Sequence, residues 1–286
     1  MPGDVAIEVE DLHKDYGEFR AVRGISFSVR RGEIYGLLGP NGAGKTTTVE
    51  ILEGYRERTA GRVAVLGMDP GPRPVALRER IGVVLQSSGL YRHLTVHEAV
   101  SHWAGFYHAP RDVAETIALS GLEAAGDRRT ITLSGGQQRR LDFALALIGD
   151  PELVFLDEPT TGFDPAARRQ AWDTVRSLKQ LGKTVLLTTH YLDEAQALAD
   201  RVAIIKDGAI LAEGAPGELG TTTPSYRVAW RDAAGSAHER ITEDPTGLLH
   251  ELTGAALARG ERLEELSVAQ PNLEDVYLEL TAEGAG

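Results

Sequence analysis

The sequence predicts an α/β fold: a parallel core sheet, with a small antiparallel β subdomain ahead of it and a small α+β appendage after it. Three observations carry this. The stretch Gly39-Pro40-Asn41-Gly42-Ala43-Gly44-Lys45-Thr46 fits G-x-x-x-x-G-K-[ST], between an apolar strand at 33–38 and the opening of a helix at 46–52. Residues 153–156 form a continuous apolar run, as in a parallel strand covered on both faces, and deliver Asp157 and Glu158. Residues 183–188 form another core strand and deliver His190. Ligands of open α/β sheets bind at such carboxyl ends.

A chain of 286 residues exceeds one typical domain, so a large domain with a small appendage is expected. The hydrophobic share of 42% and charged share of 25% are enough for a real core. No apolar run approaches the roughly eighteen residues of a membrane span, and Met1-Pro2-Gly3-Asp4 opens no signal peptide. Zero cysteines exclude disulfides and thiolate metal sites and fit a reducing cytosol. A formal charge of −12 argues against a protein that coats nucleic acid. Any membrane role is then expected to run through a partner.

In chain order, residues 5–10 and 24–29 alternate with period two and predict a small antiparallel sheet, with Tyr16-Gly17 between them. Residues 61–67 read as a strand, 70–74 as a proline-rich loop, and 80–86 as a buried strand ending on Gln86. A helical pattern spans 95–118 with a break at Pro110, and a helix is expected from the Leu133-Ser134-Gly135-Gly136-Gln137 stretch through Leu147. In it Leu141, Ala144, Leu145 and Ile148 form the buried stripe, while Arg139 and Arg140 are expected in solvent. Asp164-Pro165 opens the next helix. Asp207-Gly208 joins strands near 202–205 and 209–212 as a hairpin. Residues 221–224 read as a linker, which divides a large domain at 1–220 from a small α+β appendage at 221–286. The latter is expected to hold a strand at 226–230, a helix near 247–258 and a final helix after Pro271-Asn272.

The glycines of the first loop let several backbone N–H groups converge on one anion, and the helix N-terminus adds about half a positive charge. Lys45 supplies a full charge to terminal phosphates, and the Thr46 hydroxyl can ligate Mg²⁺. This loop is read as binding a nucleoside triphosphate. Asp157 and Glu158 suit a division of labour: one carboxylate holds the metal, and the next orients the attacking water. Ser134, Gly135 and Gly136 open a helix as a second phosphate-seeking feature or as a plain N-cap. Tyr16 is open to stacking on the base or to ordinary strand packing. His93 and His97 have no third ligand in view.

Taken together, Tyr16, the loop from Gly39 to Thr47, Gln86, residues 133–137, residues 153–159, Gly162-Phe163-Asp164 and His190 resemble the nucleotide-binding subunit of ATP-binding-cassette (ABC) transporters. The resemblance covers roughly residues 5–220. It implies the P-loop ABC-ATPase fold, in which a helical signature subdomain accompanies the parallel core sheet and the antiparallel β subdomain, with ATP and Mg²⁺ as ligands. Gln86 then reaches Mg²⁺ beside Thr46 and Asp157, and His190 contacts the γ-phosphate. Ser134, Gly135, Gly136 and Gln137 complete the site of a second, head-to-tail subunit. Phe163 departs from the more usual Leu, which bears only on inter-subunit packing. Residues 88–96 and the tail at 271–281 resemble exporters of the daunorubicin-resistance type; the tail also reads as an amphipathic helix with a Leu273, Val276, Tyr277 and Leu280 stripe. The implied protein is an ATPase subunit that powers export of a drug, antibiotic or other amphiphile. It would be cytoplasmic and held to the inner membrane face by separate integral membrane permease subunits. An importer subunit and a soluble ABC ATPase of DNA repair or translation are the alternatives.

Overall fold

The structure, a computed structural model, describes residues 4–84, 92–219 and 226–269, together with Leu273 and Tyr277. The chain divides into two compact units, Met1–Glu213 and Gly214–Gly286. In the first, β1 (Val5–Tyr16) and β2 (Phe19–Arg30) pair antiparallel around a turn in which Gly17 has φ +60°. β3 (Ile34–Leu38) is buried at all five positions and leads to α1 (Lys45–Leu52). β4 (Ala60–Val65) returns to the free edge of β1, giving a three-stranded sheet in the order β2-β1-β4.

A one-turn helix α2 (Val75–Arg78) follows the proline-rich loop and precedes β5 (Ile81–Val84). Then come α3 (Val96–Ala104), α4 (Val113–Leu119) and α5 (Gly135–Leu147). Thr95 and Glu98 close a capping box at the start of α3, and Asp112 caps α4. The break around Pro110 lies between them. Val96, Val100, Ile117, Leu122, Leu133, Leu141 and Ile148 pack into a separate core, so these helices form a subdomain of their own.

The chain re-enters the sheet as β6 (Leu153–Asp157), followed by α6 (Pro165–Gln180), β7 (Thr184–Thr189), α7 (Leu192–Leu198), β8 (Arg201–Lys206) and β9 (Ala209–Gly214). The six-stranded sheet has the order β5-β6-β7-β3-β8-β9, and the five strands from β5 to β8 run parallel. β9 turns back at Asp207 and Gly208, both with positive φ, as a two-residue hairpin requires. One sheet face presents Leu37, Phe155, Leu186 and Ala203 to α1 and the antiparallel sheet. The other presents Val154, Leu156, Val185 and Leu187 to α5, α6 and α7. Each such side chain taken from water contributes about 1.5–3 kcal/mol, and this two-sided burial explains the unbroken apolar runs.

In the second unit, β10 (Tyr226–Arg231) lies between β11 (Ala237–Thr242) and β12 (Glu264–Ala269), all antiparallel. α8 (Pro245–Ala258) starts on Asp244, which accepts from Gly247 N–H at 2.9 Å. Two of these strands are absent from the sequence expectation. β11 and β12 are almost wholly exposed and carry no strong apolar alternation. The expected linker at 221–224 and most of the final helix, including Val276 and Leu280, lie outside the described residues. Leu273 and Tyr277 are helical, and Leu273 is buried.

One correction falls inside α5. Arg139 is buried rather than solvated: its Nε donates to the Pro159 carbonyl at 3.2 Å and its guanidinium lies 3.7 Å from Asp142. Helical periodicity placed it beside Arg140 on the polar face, but the loop after β6 packs over that face.

Glu152 fastens one end of the sheet. It accepts from Arg80 at 2.5 and 3.0 Å and from Arg31 at 2.6 Å, and these partners, Arg80 first, hold its carboxyl at about 2. A depressed acid stabilises the fold above its ordinary pKa, and that contribution disappears as pH falls from about 4.5 towards 2. The melting-temperature gap between the native chain and Glu152→Gln should therefore narrow between pH 6 and pH 3. A constant gap would contradict this account.

Candidate nucleotide site

Everything at the mouth of β3 depends on close backbone approach. A Cβ on Gly39 would sit 2.1 Å from the Ile205 carbonyl, and one on Gly44 2.5 Å from that of Ala21. Gly42 and Gly44 also have φ of +82° and +102°, where an L side chain is strained. Neighbouring strands hold the loop: Gly39 N–H donates to Thr189 O, and Gly208 N–H to Ala43 O. Pro40 and Asn41 are exposed at its tip and Ala43 is buried under it. Thr46 is exposed and Thr47 half-buried in the first turn of α1.

Lys45, in contrast, is only 4% exposed. Its Nζ donates to Gly39 O at 2.8 Å and Pro40 O at 3.1 Å, and lies 3.5 Å from Glu158 Oε1. Burial pulls the ammonium below its usual range, and the Glu158 carboxylate opposes that pull.

The two carboxylates at the end of β6 have different surroundings. Asp157 accepts from Thr188 Oγ1 at 2.6 Å and from Thr46 Oγ1 at 3.3 Å. Glu158 has φ +46°, a left-handed backbone rare for a residue with a Cβ. Its N–H donates to Thr188 O and Oγ1, at 3.2 and 3.0 Å. The turned backbone aims its carboxylate back over the loop, where Thr161 Oγ1 donates at 3.0 Å and His190 Nδ1 lies 3.4 Å away. Lys45, Thr46, Asp157, Glu158 and His190 are thus brought together. Sequence reasoning missed Thr188 and Thr161. Thr188 had a visible signal, a polar residue in a strand whose six positions are all buried.

The Ser134 group is built separately. Ser134 Oγ accepts from Gln137 N–H at 3.3 Å, and Gln137 Oε1 accepts from Ser134 N–H at 3.1 Å, a closed capping box. Arg128 also donates to Gln137 Oε1 at 3.3 Å. Gly135 and Gly136 begin α5 with nothing within 4 Å of a would-be Cβ. Tyr16 ends β1, 41% exposed, with the cations of Lys14 and Arg56 at 5.0 and 5.4 Å from its ring centre. Gln86 lies outside the described residues. Among the described residues no group of three or more His, Cys, Asp or Glu side chains could hold a metal ion. No helix among them is long and apolar enough to cross a membrane.

The ABC transporter family model matches residues 22–161. The chain is 40% identical over 311 aligned positions to the daunorubicin/doxorubicin resistance ATP-binding protein DrrA of Streptomyces peucetius, covering 98% of this chain and 93% of that protein. It is 39% identical to the Nod factor export ATP-binding protein I of Rhizobium sp. (strain N33), covering 97% of each. Among solved structures it is similar to a dimeric post-hydrolysis state of an ATP-binding cassette bound to ADP and Pi. That match has a TM-score of 0.65 at 25% identity and covers 73% of this chain and 98% of that one.

Glu53, at the end of α1, gives this region a pH signature. Burial first, then the charges of Asp157 and Glu50, raise its carboxyl to about 8. Unfolded, it ionises near 4.5, so folding takes up a proton between these values. Stability is then highest below about pH 4.5 and falls as pH rises to about 8. Glu53→Gln should melt at the same temperature as the native chain at pH 4.5 and at a higher temperature at pH 8.5. Equal melting temperatures at pH 8.5 would refute this.

Proposed function

The chain belongs to the ABC transporter family and is its ATP-binding, ATP-hydrolysing subunit, and from that premise we propose how its residues divide the work and what the work drives. The observation that carries the division is the meeting of Lys45, Glu158 and His190 within 3.5 Å contacts over one loop. The backbone from Gly39 to Thr47 cradles the phosphates, Lys45 neutralises the terminal one, and Tyr16 stacks on the base. Glu158 takes the proton from an attacking water as the new P–O bond forms on the γ-phosphorus. The bond to the β-phosphate oxygen breaks as that happens, and His190 steadies the γ-phosphate oxygens.

The Thr46 hydroxyl and the Asp157 carboxylate lie 3.3 Å apart and are both oxygen donors, which suits Mg²⁺. Thr46, Asp157 and Gln86 would hold it, and it would neutralise charge on the β- and γ-phosphates. Thr188 keeps Asp157 turned toward that position.

Ser134, Gly135, Gly136 and Gln137 act on the nucleotide of a second copy, so two ATP molecules join head-to-tail subunits. That closure drives export of a drug, antibiotic or other amphiphile through separate integral membrane permease subunits, which hold the chain at the cytoplasmic membrane face. The named functions of the two relatives above support the direction of transport. Residues 221–286, which carry no nucleotide motif, serve assembly with those partners.

Two experiments test the division. Glu158→Gln keeps size and removes the base, so it should bind ATP, lose roughly 100-fold or more in turnover and elute as an ATP-dependent dimer. A monomeric variant turning over at the native rate would sink the assignment. Ser134→Arg and Lys45→Ala should each be inactive alone and partly active when mixed, because a mixed dimer rebuilds one intact site. Native activity of Ser134→Arg by itself would end the two-subunit reading.

A further inference from the structure

Arg56 touches two separate elements of the first unit, α1 through Glu50 and β1 through Tyr16. α1 carries Lys45 and Thr46 in its first turn and Glu50 one turn later. After it the chain reverses at Gly54, which has φ +79° and whose Cβ would meet the Pro70 carbonyl at 2.6 Å. The reversal lets Tyr55 and Arg56 N–H both donate to Glu50 O, at 2.8 and 3.0 Å. The Arg56 side chain then returns to the same residue, its Nε donating to Glu50 Oε2 at 2.5 Å. Backbone and side chain together fasten Arg56 to the helix that carries the phosphate ligands. The guanidinium carbon sits 5.4 Å from the centre of the Tyr16 ring.

Tyr16 stands on another element, the end of β1 in the antiparallel sheet. Lys14 also reaches its ring, but from the same strand two residues away, so it moves with Tyr16 and reports nothing about α1. A planar guanidinium can bond Glu50 along one edge while the rest of the group meets an aromatic ring, a geometry that an ammonium's point charge matches less well.

We propose that Arg56 is a positioning residue for the nucleotide base: braced by Glu50, it fixes the Tyr16 ring relative to the phosphate loop. This rests on the reading of Tyr16 as the base platform. Its consequence is selective. Arg56 contributes affinity only toward ligands that carry a base, because a bare polyphosphate touches α1 and the loop but not Tyr16.

The test is calorimetric titration of the full chain with MgATP and with magnesium tripolyphosphate. Arg56→Ala should weaken MgATP by about two- to five-fold, the worth of a partly exposed cation–ring contact, and leave tripolyphosphate unchanged. Glu50→Gln should show the same pattern, and it serves should Arg56→Ala misfold, because it keeps Arg56 and loosens only the brace. Arg56→Lys should recover less than half of the loss. Added to Tyr16→Ala, Arg56→Ala should cost nothing further. Equal losses for both ligands would place Arg56 in the phosphate site and overturn the proposal. Unchanged MgATP affinity in Arg56→Ala, with Tyr16→Ala weakened, would overturn it while keeping Tyr16 as the platform. No loss in Tyr16→Ala would remove the platform and the proposal together.

Discussion

An ammonium as deeply buried as that of Lys45 must have its charge answered nearby, because stripping such an ion of water costs several kcal/mol. Two carbonyls of its own loop and the Glu158 carboxylate provide the answer. Each makes a demand on a different part of the chain. The carbonyls are available only where Gly39 lets the loop press against Ile205 of β8. The carboxylate is available only where the backbone at Glu158 turns left-handed, and Thr188 of β7 holds that turn. The strands that meet these demands must lie side by side, as they do in the order β6-β7-β3-β8. The crossovers of the sheet can therefore be read as the means of bringing one ion pair together.

The turned backbone at Glu158 is strained by about 1–3 kcal/mol and persists only if its surroundings hold it. Two buried ionisable side chains hold the residues just after it. Arg139 of α5 donates to the Pro159 carbonyl, and Glu194 of α7 accepts from Thr160 Oγ1 at 2.7 Å and from Trp172 Nε1 at 3.0 Å. Burial lowers the first of these and raises the second, so both are more costly to leave with fewer partners. Moving α5 or α7 would therefore disturb the loop that sets Glu158. The helix that presents Ser134 at its start also holds, through Arg139, the loop that follows Glu158.

How much of this the sequence shows follows from the range of each interaction. Strand–loop–helix at Gly39, the carboxylates after β6 and His190 after β7 are local patterns with local causes, and they are legible residue by residue. So are the caps at Ser134 and Asp164. The second unit is legible only in part, because β11 and β12 bury little and so carry no strong apolar alternation. Thr188, Glu194 and Arg139 act across long sequence separations. Arg139 was misread because helical periodicity reports one helix's own faces and not what folds over them. Arg56 is of the same kind: in sequence it is one of several charges after α1, and only the reversal at Gly54 gives it a direction.

The start of α5 shows how a helix end can be both finished and open. Of its first four N–H groups, that of Gln137 goes to Ser134 Oγ and that of Gln138 to Ser134 O. The other two belong to Gly135 and Gly136, where a Cβ would meet nothing within 4 Å. Sterics therefore do not require these glycines. Their effect is to leave two dipole-aligned donors unshielded, at the end of a helix that favours negative charge. A serine that satisfies the third N–H keeps that end rigid, so an arriving phosphate would meet donors already in place rather than having to order them. The same residues would make an ordinary cap if any larger side chain followed Ser134.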